Sequence, residues 1–63
     1  MSQWWRVKTP DSAAWEQNEG LVLVVGNRIA AFTCSYGLEV GDRWDEKRRD
    51  LERAQFTCTM ETL

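Results

Sequence analysis

The sequence predicts an α+β fold: a small ferredoxin-like (βαββαβ) sandwich, or a four-stranded antiparallel sheet with one or two helices on one face. Three observations predict it. Short β-rich runs open and close the chain, at 3–8 and 56–61. A Gly-Asn pair splits the apolar stretch Leu21–Cys34 into two strands, and a charged segment at 43–54 carries helix signals at both ends. With 63 residues there is room for one domain spanning 1–63, and a chain this short buries only about 60% of its unfolded surface.

The first run, Gln3-Trp4-Trp5-Arg6-Val7-Lys8, reads as a strand. Alternation places Trp5 and Val7 on one face and Trp4, Arg6 and Lys8 on the other. Next, Thr9 suits a helix N-cap, Pro10 the first helical position and Gly20 the close. Asn18 and Glu19 sit badly at the negative end of such a helix, so 10–19 reads as either a short helix or a loop.

Gly26-Asn27 is a two-residue hairpin signal. A regular ladder from that turn pairs Val25 with Arg28, Leu23 with Ala30 and Leu21 with Phe32, and this face is expected to meet the core. Val22, Val24, Ile29, Ala31 and Thr33 then occupy the opposite face. Asp42 suits the N-cap of a helix over 43–54, with Asp45 and Glu46 in its first turn and Arg53 in its last. The apolar stripe of that helix is narrow: Trp44, Leu51 and Ala54, with the stem of Lys47 or Arg48 between. Trp44 and Leu51 are expected to anchor it on Leu21, Leu23, Phe32 and Phe56. In the last strand Phe56, Cys58 and Met60 are expected to point inward.

Catalytic equipment is sparse. The chain has two cysteines and no histidine, which rules out Ser-His and Cys-His pairs. The glycines match neither dinucleotide nor P-loop spacing. Two thiolates alone do not complete a zinc site, so no metal and no cofactor is expected. The carboxylates of 42–53 alternate with arginines and a lysine, and pairs such as Asp45 with Arg49 and Asp50 with Arg53 read as a solvated, self-paired helix face. An enzyme is not expected.

Composition points the same way. At 43% hydrophobic and 29% charged residues the chain reads as an ordinary folded protein, and no apolar run reaches the ~20 residues of a membrane span. The start Met1-Ser2-Gln3-Trp4-Trp5-Arg6 lacks an apolar export region, so a cytoplasmic protein with Cys34 and Cys58 as buried free thiols is expected. The four tryptophans exceed what a small core holds, and Trp is enriched at interface hot spots.

The expected function is therefore a non-enzymatic protein-binding module, homodimeric, that occupies a surface of a partner protein. A chain of this size beginning at Met1 reads as a small complete gene, in the manner of phage or mobile-element inhibitors and regulators of host machinery. The expected binding face carries Trp4, Arg6, Lys8, Val22, Val24 and Ile29. The alternative is a regulator that binds single-stranded RNA or DNA through the Trp4, Arg6, Lys8 strip and the arginines of 43–53; a net charge of −2 opposes it.

Overall fold

The computed structural model describes residues 1–10, 18–34 and 36–61. Among the described residues, four strands, β1 (Ser2–Lys8), β2 (Glu19–Val25), β3 (Arg28–Phe32) and β4 (Thr57–Glu61), and one helix, α1 (Trp44–Arg53), follow in the order β1-β2-β3-α1-β4. The sheet is antiparallel throughout with strand order β3-β2-β1-β4. Three consecutive strands thus lie side by side, and the fourth returns through α1 to the far side of β1, the Greek-key order. This is the four-stranded form of the expected α+β fold. A ferredoxin-like arrangement finds no support, because β1 and β2 pair directly. The helix considered over 10–19 falls mostly on 11–17, outside the described residues; at its base Thr9 donates from its N–H (2.9 Å) and its hydroxyl (3.1 Å) to the Asn18 carbonyl.

The hairpin turn forms where Gly26-Asn27 predicts it. Both residues adopt positive φ, 58° and 63°, as a type I′ turn requires. Val25 then pairs with Arg28 and Val24 with Ile29, but Leu23 pairs with Ala31 and Val22 with Phe32. Ala30 is the extra residue of a β-bulge, and it carries Phe32 onto the face of Val22 and Val24.

That face is the core, which corrects the sequence-based assignment. Val22 and Val7 are 0% exposed, Ile29 1% and Val24 3%, whereas Leu21 and Leu23 are half-buried on the opposite face. The cause is the β1–β2 register: Trp5 pairs with Val22 and Val7 with Gly20, so the buried parity of β1 selects the valines of β2. Gly20 leaves room for Cys34, since a Cβ there would lie 2.4 Å from the Cys34 Cβ.

α1 covers this face through Trp44 and Leu51, 3% and 7% exposed. They join Trp5, Val7, Val22, Val24 and Ile29 in the core, with Phe32 and Phe56 packed against it; Leu21 and Leu23 are not on the helix side. The rings of Trp44 and Trp5 are 5.5 Å apart at a 54° tilt, and the Arg48 guanidinium lies 5.1 Å from the Trp5 ring centroid. The stem between Trp44 and Leu51 is thus supplied by Arg48, while Ala54 stays exposed.

Both ends of α1 are set by specific backbone partners. Arg43, not Asp42, holds the N-cap position, and it makes no side-chain cap. The Asp42 carbonyl is occupied by the Ile29 N–H (2.9 Å), and its carboxylate sits 3.5 Å from the Lys47 ammonium. The cap comes instead from the hairpin: the Asn27 carbonyl accepts the Trp44 N–H and its side-chain oxygen accepts the Asp45 N–H. At the other end Phe56 N–H donates to the Leu51 carbonyl (2.9 Å) and Gln55 N–H to the Glu52 carbonyl (3.1 Å), a Schellman motif with Gln55 at φ 72°. Along the helix the ion pair formed is Arg48–Glu52 at 4.0 Å; Asp45–Arg49 and Asp50–Arg53 do not close.

Candidate functional site

The face of the sheet opposite α1 is built by strand register. Across the four strands lies the row Glu61–Trp4–Leu23–Ala31, followed by Thr59–Arg6–Leu21 and then Thr57–Lys8–Glu19. One end is apolar and the other charged. Trp4, Leu21 and Leu23 are half-buried and Ala31 is exposed, so the apolar end is a shallow patch with Trp4 on its β4 side, between Leu23 and Glu61.

The charge at the edge of this patch is compensated. Arg6 Nη1 lies 3.0 Å from Glu19 Oε1, and Arg6 Nε donates to Glu61 Oε1. The Glu61 hydrogen bond, with its charge, raises the Arg6 pKa above its ordinary value. The clamp ties β2, β1 and β4 together.

Of the six expected site residues, the structure brings Trp4, Arg6 and Lys8 together on this face and places Val22, Val24 and Ile29 in the core beneath. The valines and Ile29 are closed off by α1 and contribute no surface in the folded chain. Leu21, Leu23, Glu19 and Glu61 take their place. Sequence reasoning missed them because Leu21–Val25 is apolar at every position, so a period of two is invisible there. One signal was available: Gly20 cannot fill a core position, and a β2 face with a glycine in line has to accept a side chain from elsewhere, here Cys34.

Two other places bear on chemistry. A cleft of about 340 Å³ opens between α1 and the 36–37 turn, lined by Tyr36, Gly37, Lys47, Asp50, Leu51, Ala54 and Phe56. Its lysine is engaged, with Nζ 3.3 Å from the Gly37 carbonyl and 3.5 Å from the Asp42 carboxylate. The thiols are free, Cys34 buried and Cys58 half-buried. Burial raises both, Cys58 to about 11 with the Glu52 charge adding to it, which keeps them protonated and poorly nucleophilic near neutral pH.

Met60, expected to point inward, is 51% exposed although it pairs with the buried Trp5. Among the described residues no group of three or more His, Cys, Asp or Glu side chains converges as a metal site would require, and no helix is long and apolar enough to cross a membrane. No family model, no curated protein and no solved structure matches this chain.

Proposed function

We propose that this chain is a non-enzymatic protein-binding module of the cytoplasm that acts by occupying a surface of a partner protein through the open face of its sheet. The observation that carries the reading is the cross-strand row Trp4–Leu23–Ala31, flanked by Leu21, on the face that α1 leaves uncovered. An aromatic anchor in an apolar patch with a charged rim has the anatomy of an interface core. The partner it suits offers an apolar surface to Trp4 and Leu23 and polar groups to the Arg6–Glu19–Glu61 triad. Regulation or inhibition of that partner, in the style of small phage proteins, follows from occupation alone.

The second reading, single-stranded nucleic acid on Trp4, Arg6 and Lys8, loses support at Arg6. Its charge is already met by Glu19 and Glu61, which leaves the strip little attraction for phosphate. The two readings separate in a nuclease-treated capture with the tagged chain, compared with its Trp4→Ala variant. The expected result is a protein retained by the parent, lost by Trp4→Ala, and held equally at about 0.1 and about 0.5 M salt. Capture of RNA or DNA that falls steeply over that salt range, with no protein retained, overturns the proposal.

A further inference from the structure

The two edges of the sheet are treated differently. The outer edge of β3 is covered: Ile29 N–H donates to the Asp42 carbonyl (2.9 Å), Gly41 N–H donates to the Ile29 carbonyl (2.8 Å), and Arg28 bridges Arg43. The outer edge of β4 pairs with nothing among the described residues. Exposed edges are ordinarily guarded by lysine, proline, a bulge or an inward charge. β4 reads Thr57-Cys58-Thr59-Met60-Glu61 and pairs with β1 without a register shift; its single charge, Glu61, is turned to the open face and bound to Arg6. Its Met60 is among the most exposed large apolar side chains, at 51%.

From this we infer that β4 is the docking edge for a second copy of the chain, paired antiparallel about a two-fold axis at Thr59. The pattern of β4 is self-complementary in that register, which also pairs all five of its residues. Thr57 meets Glu61 of the second copy, Cys58 meets its Met60, and Thr59 meets its own counterpart. Polar side chains thus face polar ones on the open face, and the exposed Met60 meets a thiol on the helix side. Four residues separate the two glutamates from a like-charge encounter, whereas an in-register parallel pairing would set them side by side. An axis perpendicular to the sheet keeps both open faces on the same side, so the product is one eight-stranded sheet with two Trp4 patches facing one way. A five-residue edge buries well under the ~1,600 Å² of a standard interface, so the dimer is expected to be a weak one. This inference rests on β4 and is independent of the proposed use of the open face.

Sedimentation equilibrium from about 10 μM to about 1 mM tests it, alongside Thr59→Lys, Thr59→Cys and Trp4→Ala. The parent is expected to pass from monomer to dimer over that range. Thr59→Lys sets two like charges opposite each other at the axis and is expected to weaken the dimer at least tenfold, with the circular dichroism of the folded chain retained; Trp4→Ala is expected to dimerise like the parent. Thr59→Cys, oxidised, is expected to form a disulfide-linked dimer, whereas the same substitution at Glu39, away from β4, is not. A parent that stays monomeric to about 1 mM overturns the inference, as does a dimer indifferent to Thr59→Lys or one lost in Trp4→Ala. Should Thr59→Lys fail to fold, the presence or absence of the Thr59→Cys cross-link decides the matter.

Discussion

Asn27 caps the helix at Asp45 from across the fold: its side-chain oxygen accepts the Asp45 N–H at 3.2 Å, and its carbonyl accepts the neighbouring Trp44 N–H at 2.9 Å. The residue that closes the β2–β3 hairpin therefore also starts α1, and a local turn choice fixes where the helix lands on the sheet. A hydrogen bond from the Asn27 side chain to the Asp45 carboxyl also holds that carboxyl below its usual range. Asn27→Gly keeps the left-handed backbone and removes the cap, at a cost of about 0.5–1 kcal/mol. Asn27→Ala adds the left-handed penalty and costs about 2 kcal/mol or more. Urea unfolding of both variants checks this; an Asn27→Gly chain as stable as the parent would show that the side-chain cap contributes nothing.

Gln55 holds the left-handed position of the Schellman motif, at φ 72°, where glycine is the residue without a Cβ penalty. Gln55→Gly is expected to raise stability by about 0.5–1 kcal/mol, or roughly 4–8 °C per kcal/mol in Tm for a chain of this size. A thermal melt checks it. No gain would mean that the lost backbone restriction in the unfolded chain cancels the relieved strain.

Gly20 lies beneath Cys34. An added Cβ would approach the Cys34 Cβ to 2.4 Å and its sulfur to 2.8 Å, closer than the packed strand tolerates. Gly20→Ala is expected to destabilise by about 1–3 kcal/mol, and the double variant with Cys34→Ala to recover part of that loss through the sulfur contact. Additive losses in the double-mutant cycle would contradict the contact.

Cys58 gives the stability a pH dependence on the alkaline side. Its pKa is raised from 9.0 to about 11 by burial, so between these values the folded chain holds a proton that the unfolded chain releases. The associated stability is fully present below pH 9.0 and lost as pH rises toward about 11. Cys58→Ser removes this titration, so its stability should fall less than the parent's over the same interval in parallel urea titrations. Identical slopes would contradict the assignment.

The parts of the fold legible in the sequence were those encoded locally. Trp5 and Val7 against Trp4, Arg6 and Lys8 followed from alternation in β1, the Gly26-Asn27 turn followed from backbone chemistry, and Trp44 and Leu51 followed from helical spacing. Which face of β2 is buried was not legible. It depends on the register between β1 and β2, strands that are ten residues apart in the sequence, and Leu21–Val25 offers either face equally well. The Ala30 bulge was hidden for a similar reason, since an alanine is at home in a bulge or in a regular ladder. The candidate site inherits both limits: its β1 residues were visible, while Leu21, Leu23 and the Glu19–Arg6–Glu61 triad emerge only when the strands are paired.

The central claim is that one sheet divides its labour by face, with the core on the side of Val22 and partner binding on the side of Leu23. These neighbours in β2 point in opposite directions, so the pair Val22→Lys and Leu23→Lys tests it most directly. Each variant is taken through a thermal melt and a nuclease-treated capture. Val22→Lys is expected to unfold the chain, as burying an unpaired charge in so small a core must. Leu23→Lys is expected to fold within about 1 kcal/mol of the parent and to lose the captured protein at least tenfold. A Leu23→Lys protein that unfolds, or that folds and binds as the parent does, would contradict the account.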